Sequence, residues 1–131
     1  MTQATRRPLV TVAVVTLNAA AELPGTLRSI ARQTWREKEV LVVDGGSTDG
    51  TIAILRDPAS GVTRWESGKD RGQSHAINKG LARSSGEWVA WLNSDDVYQP
   101  GALQTVVMWL VKDRPHSAAV ARKRRREGSR A

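Results

Sequence analysis

Short apolar runs alternate with stretches of helical periodicity along this chain, and this alternation restricts the fold more than any other feature. Apolar runs lie at about 9–17, and in 39–43 and 87–92 after an initial glutamate; a weaker third strand is predicted at 62–66. A continuous apolar run of about four to eight residues, closed by glycine or polar residues, is typical of a strand buried on both faces of a parallel sheet. The order strand then helix therefore predicts an α/β fold with a Rossmann-like, doubly wound, mainly parallel sheet.

Helices are predicted where apolar residues recur at i, i+3, i+4 and i+7. The predicted helices cover about 22–34, a short segment with Ile52 and Leu55, a segment from Asp70 to about 84–86, and a last segment that includes 103–111. Ser47 or Thr48 is expected to cap the second helix. Asp70 is expected to cap the third, with Gln73 reaching back as in a capping box.

The first apolar run has a second interpretation. Arg6 and Arg7, followed by Pro8 and residues 9–17, resemble the start of a secretory signal. We favour a strand because valines are enriched at 10–15 and a helical pattern follows at once. A signal peptide stays open as the alternative. Elsewhere the chain lacks an uninterrupted apolar stretch of about 18 residues, so no membrane span is predicted.

The net charge of +7 is concentrated at one end of the sequence. Residues 112–131 contain eight Lys or Arg and two Asp or Glu, whereas residues 1–111 are almost neutral. We therefore predict one domain at 1–113 and a disordered basic tail at 114–131. The alternatives for the tail are contact with an anionic membrane or with nucleic acid; no specific nucleic-acid partner is expected. The chain has no cysteine, which excludes disulfides and thiolate metal sites.

Acidic residues follow two of the predicted strands. Asp44 ends the second strand, and Asp95 and Asp96 follow the fourth. Each cluster taken alone is explained by turns and helix caps. Because the carboxyl ends of parallel strands meet at one edge of the sheet, where ligands of such folds bind, the two clusters together predict one shared site. Their carboxylates suit a hard cation, Mg2+ or Mn2+, that bridges a diphosphate.

Several segments carry a resemblance to a known family. They are VVTLNAA at 14–20, VVDGGSTDGT at 42–51, DRGQS at 70–74, AINKG at 76–80 and WLNSDDVY at 91–98. In this order they resemble the nucleotide-sugar half of family 2 glycosyltransferases of the GT-A fold, over about residues 9–111. The resemblance implies a nucleotide-sugar-binding domain, a nucleotide diphosphate sugar donor, and an acceptor that is a glycan or a lipid-linked sugar.

The resemblance also implies roles for particular residues. Thr16 and Asn18 would border the nucleotide pocket, and Asp44 would hydrogen-bond the base. Asp95 would lie near the ribose, and Asp96 would bind the metal ion. These assignments divide the two acidic clusters between different parts of one donor molecule.

Other positions extend or depart from this pattern. Arg71 would lie near the diphosphate. His75 and Asn93 stand where related sequences often have an acid. A general base that deprotonates the acceptor hydroxyl is expected from an acceptor half, and residues 97–131 contain no evident candidate for it. The catalytic residues therefore stay unassigned.

The predicted function is inverting transfer of a sugar from a nucleotide diphosphate sugar to an acceptor hydroxyl. One alternative is a truncated, non-catalytic nucleotide-binding fragment of such an enzyme. Another is a metal-dependent nucleotidyltransferase, which would need a glycine-rich triphosphate loop that the sequence lacks. The resemblance implies a role in polysaccharide synthesis and a cytoplasmic location, with peripheral contact at the inner face of the membrane.

Overall fold

A computed structural model describes residues 8–113, the last four by their backbone only. In chain order the elements are β1 (Val10–Thr16), α1 (Leu23–Ala31), β2 (Lys38–Asp44), α2 (Thr51–Arg56), a 3-10 turn (Pro58–Ser60), β3 (Arg64–Ser67), α3 (Gln73–Arg83), β4 (Trp88–Asn93) and α4 (Ala102–Asp113). The predicted basic tail and the first residues of the alternative secretory signal lie outside the described residues. No helix in the described part combines the length and apolarity needed to cross a bilayer.

All four strands form one parallel sheet in the order β3-β2-β1-β4. The chain moves outward from β1 through β2 to β3 and then crosses back to place β4 on the other side of β1. The direction of winding therefore reverses between β1 and β4. In sheets of this kind ligands bind at such a reversal, beyond the carboxyl ends of the strands.

Helices cover both faces of the sheet, which confirms the doubly wound α/β prediction. On one face α1, α2 and α4 pack against Val10, Val12 and Val14 of β1. On the other face α3 packs through Ala76 against Val15 and the same side of β2. Alternate residues of β1 thus enter opposite cores, which explains why all seven of its residues are buried.

Among the element boundaries that differ from the predicted ones, two have clear structural causes. The helix predicted at 22–34 ends at Ala31, because the Gln33 side chain turns inward. Gln33 Nε2 donates to the carbonyls of Ser29 and Gln99, and its Oε1 accepts from Leu103 N–H. The third strand begins two residues later than predicted, since the Thr63 hydroxyl replaces a ladder partner and accepts from Val40 N–H at 2.9 Å.

A buried glutamate ties together the end of the sheet opposite the carboxyl ends of the strands. Glu39 Oε2 accepts from Thr11 Oγ1 at 2.9 Å, Arg64 Nη2 at 3.0 Å and Ser85 N–H at 2.9 Å. These partners come from β1, from β3 and from the loop before β4. Burial alone raises the pKa of Glu39, but the hydrogen bonds from Ser85, Arg64 and Thr11 outweigh it, so the pKa lies below the ordinary 4.5.

This arrangement predicts a pH-dependent stability term. Because the pKa of Glu39 is lower in the folded state, its contribution is complete above about pH 4.5 and is lost as the pH falls through the folded-state value. We expect Glu39→Gln to lower the free energy of unfolding by about 1–2 kcal/mol at pH 7. Urea unfolding at pH 7 and at pH 3 measures the free energy of unfolding of the variant and of the parent. The difference between the two proteins should be smaller at pH 3. Glu22→Gln, at an exposed glutamate, is the control. If Glu39→Gln lowered the free energy of unfolding equally at both pH values, the ionised carboxylate of Glu39 would not be the source of the stability.

Candidate functional site

A crevice of about 470 Å3 lies at the reversal between β1 and β4. Its walls come from the end of β1, the start of α1, the first turn of α3 and the loop after β4. The polar residues that line it include Thr16, Asn18, Glu22, Asp70, Gln73, Asn93 and Asp95. The predicted meeting of strand ends therefore exists, and three predicted site residues, Thr16, Asn18 and Asp95, line it.

The titratable side chains in the crevice lining all carry the same sign. They are the carboxylates of Glu22, Asp70 and Asp95; no lysine, arginine or histidine of the described residues lines the crevice. The crevice is therefore an acidic site that favours cations. Neither Glu22 nor Asp70 was predicted as a site residue. Glu22 could have been considered from the sequence, because it lies at the start of the helix that follows the first strand, on the edge of the sheet where the ligand site was predicted.

Asp44 is fully buried beside the crevice and does not line it. Its Oδ2 accepts from Gly46 N–H at 3.0 Å, Ser47 N–H at 2.8 Å and Ser67 Oγ at 2.7 Å. Its Oδ1 accepts from Ser47 Oγ. The carboxylate thus folds the loop after β2 and joins it to the end of β3. Its contact with a nucleotide base stays a prediction.

The loop after β1 is fixed to the loop after β2 through Asn18. This residue has a φ of 49°, a left-handed conformation that asparagine tolerates better than most residues. Its N–H donates to Ser47 Oγ at 2.7 Å, and its Oδ1 accepts from Thr48 N–H at 2.8 Å. The hydroxyl of Thr16 is buried in the crevice wall and has no hydrogen-bond partner among the described residues. The contact of Thr16 with a nucleotide stays a prediction, whereas Asn18 holds the two loops together.

The predicted cap of the second helix is wrong. Gly50 occupies the N-cap position of α2 without a side-chain hydrogen bond. The Ser47 hydroxyl accepts from Asn18 N–H instead, and the Thr48 backbone N–H donates to Asn18 Oδ1, so both residues belong to the loop before the helix. Asp49 instead accepts from Thr51 Oγ1 and Thr51 N–H, and its other oxygen accepts from Ala20 N–H at 3.1 Å. These hydrogen bonds, led by that of the Thr51 hydroxyl, lower the pKa of Asp49.

The predicted capping box of the third helix is also wrong. Gly72 is the N-cap of α3, with a φ of 114°. Asp70 Oδ1 accepts from Gly72 N–H at 3.0 Å, and Gln73 Nε2 reaches across the crevice to donate to Asn93 Oδ1 at 2.6 Å. A Cβ on Gly45 would lie 2.8 Å from Asp70 Oδ2, so the loops after β2 and β3 pack tightly. Asp70 and Gln73 therefore shape the crevice rather than cap the helix.

Arg71 and His75 form a pair at the start of α3. Arg71 N–H, which precedes the N-cap, donates to His75 Nδ1 at 2.8 Å. The Arg71 side chain is exposed and does not line the crevice. Its contact with a diphosphate stays a prediction.

Asp95 and Asp96 lie in different surroundings. Thr26 Oγ1 of α1 lies 2.6 Å from the carbonyls of both Ser94 and Asp96, and it fixes the loop after β4. As a result Asp95 is exposed in the crevice, whereas Asp96 is 6% exposed and absent from the lining. No three acidic or histidine side chains in the described part of the chain gather into a metal-binding cluster. The metal-binding role of Asp96 stays a prediction.

Comparison with known proteins agrees with this geometry. The model of Glycosyl transferase family 2 matches residues 11–131. A PGL/p-HBAD biosynthesis glycosyltransferase of Mycobacterium bovis is 36% identical over 112 residues, which cover 82% of this chain and 44% of that protein.

Two solved structures are similar in fold. The mannosyltransferase PcManGT from Pyrobaculum calidifontis, in complex with GDP-Man and Mn2+, has a TM-score of 0.75 and 32% identity, over 84% of this chain and 34% of its own. S. aureus TarS 1-349 in complex with UDP-GlcNAc has a TM-score of 0.73 and 27% identity, over 79% of this chain and 31% of its own.

This chain spans less than half the length of each of these proteins. Within that span, the family match, the identity to a curated glycosyltransferase and the shared sheet all agree with the resemblance read from the motifs. The chain belongs to glycosyl transferase family 2, and its sheet is that of the GT-A fold.

Proposed function

We propose that this chain binds a nucleotide diphosphate sugar in the crevice between β1 and β4, together with a divalent cation. The enzyme activity that this binding would serve is transfer of the sugar to an acceptor hydroxyl with inversion. The donors named for PcManGT and TarS, GDP-Man and UDP-GlcNAc, are both of this class.

The observation that carries the proposal is the sign of the charge in the crevice. Three carboxylates line it and no basic side chain of the described residues does. Two like unit charges about 6 Å apart repel by about 0.7 to 3 kcal/mol, for effective dielectric constants of about 80 to 20. A diphosphate carries at least two negative charges, so it would enter this crevice at a substantial cost. A divalent cation bound between the carboxylates and the diphosphate would attract both, and the repulsion would be replaced by a net attraction.

The residues fit such an ion in a specific way. Because the described acids form no cluster of three, the protein would supply one or two carboxylates and the nucleotide would supply further oxygens, as is usual for Mg2+. We assign the ion to the pair Asp95 and Asp96. Asp95 is already exposed in the crevice, and Asp96 is the residue that the family resemblance favours. The ion would neutralise charge on the leaving diphosphate.

The remaining crevice groups would orient the donor. The unpartnered hydroxyl of Thr16 would donate to an oxygen of the nucleoside, and Asn18 would keep the loop after β1 in place through its contacts with Ser47 and Thr48. Inversion also requires a base that takes the proton of the acceptor hydroxyl. We assign no residue between 8 and 113 to that role.

Nucleotide binding should depend on the divalent cation. We expect UDP or GDP to bind at least about tenfold more tightly with Mn2+ or Mg2+ than in EDTA, which corresponds to about 1.4 kcal/mol or more. Isothermal titration calorimetry of the 131-residue chain measures this difference. Asp95→Asn and Asp96→Asn should each reduce the gain in nucleotide affinity that the cation gives. The variant with the larger reduction identifies the aspartate that binds the cation more strongly. Asp57→Asn, at an exposed aspartate outside the crevice, is the control.

Two outcomes would contradict the proposal. Equal affinity in EDTA and in Mn2+ would show that charge repulsion does not govern the crevice. No binding of either nucleotide under any condition would exclude the donor site itself. Donor hydrolysis or sugar transfer by the same preparation would separate an enzyme from a chain that only binds the nucleotide.

We also propose a glycan or a lipid-linked sugar as the acceptor, and peripheral contact with an anionic membrane in the cytoplasm. Support for the membrane contact comes from the sequence, since residues 112–131 have a net charge of +6. Each basic residue near an anionic bilayer contributes about 1 kcal/mol to binding.

A further inference from the structure

A second cavity, of about 250 Å3, lies on the outer side of α1. Its walls are the second half of α1 and the segment from Val97 to Pro100, which follows the acidic loop after β4. Two arginines line this cavity: Arg28, in the last turn of α1, and Arg32, the C-cap residue of the same helix. It shares no lining residue with the crevice between β1 and β4, so it is a separate candidate site.

The charge in this cavity is opposite to that of the crevice. Arg28 and Arg32 are its charged lining residues, and no acidic side chain of the described part of the chain joins them. Neither guanidinium forms an ion pair or a side-chain hydrogen bond with another described residue. Like charges four positions apart repel each other by a few tenths of a kcal/mol in a helix, and Arg28 and Arg32 have this spacing at the last turn and C-cap of α1. The C-terminal end of α1 favours a cation, but it does not require two cations at one cavity.

Two other polar side chains of the cavity wall are already hydrogen-bonded. Ser29 Oγ donates to Thr26 O at 2.8 Å and accepts from Tyr98 N–H at 3.0 Å. The Gln33 side chain makes three hydrogen bonds to backbone groups. The Tyr98 hydroxyl has no hydrogen-bond partner among the described residues, but it is buried. The wall is therefore held in place, and the two exposed guanidinium groups are its donors open to solvent and to a ligand.

We propose that this cavity binds a phosphate monoester. Such a group carries about −1.5 to −2 charges at pH 7, which matches two guanidinium groups better than a carboxylate or a phosphate diester does. Guanidinium also presents paired N–H donors that fit phosphate oxygens. The volume suits a phosphate group with a small substituent and is about half that of the crevice. The monoester would come from a soluble metabolite or from a lipid headgroup.

The cavity and the crevice are linked by one segment of the chain. One continuous segment, 93–100, lines the crevice with its first residues and the cavity with its last. Thr26 fixes the middle of that segment. A phosphate bound by Arg28 and Arg32 would therefore hold the segment that carries Asp95 and Asp96. The proposal does not depend on the proposed donor site.

The test is an NMR titration of the isotope-labelled 131-residue chain with glycerol 3-phosphate at constant ionic strength. A parallel titration with chloride measures the effect of salt alone. We expect saturable shifts of the amide resonances of Gly25, Ser29 and Tyr98. The double variant Arg28→Gln/Arg32→Gln should bind at least about tenfold more weakly, since charge-assisted hydrogen bonds are lost. Arg36→Gln, at an exposed arginine outside the cavity, should bind like the parent.

Binding to lipid vesicles distinguishes a soluble monoester from a lipid headgroup. Phosphatidic acid presents a phosphate monoester, and phosphatidylglycerol presents a phosphate diester. Binding of glycerol 3-phosphate supports a soluble ligand. The basic tail contributes to binding of any anionic vesicle, so the two lipids are compared at equal surface charge. Tighter binding to phosphatidic acid than to phosphatidylglycerol, with that preference lost in the double variant, supports a lipid headgroup. The proposal would be overturned if the shifts were non-saturable and equal to those in chloride and the double variant kept the same lipid preference as the parent. Each variant is compared with the parent by circular dichroism and thermal unfolding, so that loss of the fold is not taken for loss of the site.

Discussion

Replacing Asp44 with alanine is expected to lower the free energy of unfolding by about 3 to 5 kcal/mol, without any ligand present. The carboxylate is fully buried and accepts four hydrogen bonds. Alanine would leave the N–H groups of Gly46 and Ser47 and the hydroxyl of Ser67 without their acceptor. Each unsatisfied buried polar group costs about 1–3 kcal/mol, reduced where water enters. Urea unfolding followed by circular dichroism measures the change.

Asp57→Ala provides the matched control. Asp57 is exposed and its carboxylate accepts one backbone hydrogen bond, from Ala59 N–H at 2.9 Å. Its replacement should cost about 1 kcal/mol or less. Equal losses for the two variants would mean that the hydrogen bonds of Asp44 are not a major source of stability. Asp44→Asn retains the shape of the side chain, and a folded Asp44→Asn protein that no longer binds nucleotide would support the predicted base contact.

The strands were predictable because their signal is local. Within the predicted strand 39–43, positions 40–43 are all apolar, and only a strand covered on both faces, or a buried helix, accommodates that pattern. The run is too short for a buried helix of ordinary length. The meeting of the acidic loops was predictable for a related reason, since parallel strands place their carboxyl ends at one edge.

The orientation of individual side chains was not predictable in the same way. Asp44 is buried because Ser67, 23 residues later, arrives beside it when β3 pairs with β2. Asp95 faces the crevice and Asp96 does not because Thr26, about 70 residues earlier, holds the backbone between them. Such contacts depend on strand register and helix placement. The same holds for Asp70 and Gln73, whose local capping pattern was overridden by contacts across the crevice.

A second large effect is expected at Gly86, where β4 begins to pair with β1. A Cβ at this position would lie 2.5 Å from Thr11 N, 2.7 Å from Thr11 Oγ1 and 2.8 Å from Trp88 O. Two of these three atoms belong to the backbone, so no rotamer change relieves the contact. Gly86 N–H also donates to Thr11 Oγ1 at 2.8 Å, and that hydroxyl in turn donates to Glu39. Any alanine at position 86 must therefore displace β4 from β1.

We expect Gly86→Ala to lower the free energy of unfolding by about 3 kcal/mol or more, equivalent to a fall in the melting temperature of about 10 °C or more. Thermal unfolding measures this. Gly68→Ala is the control, since a Cβ there meets no atom within 4 Å and the Gly68 N–H keeps its bond to Asp44 O. That change should stay within about 0.5 kcal/mol. Because the crevice lies between β1 and β4, Gly86→Ala should also weaken nucleotide binding at temperatures where the variant is still folded. Unchanged stability would mean that β4 can move without loss, and the crevice would then not depend on the register of these two strands.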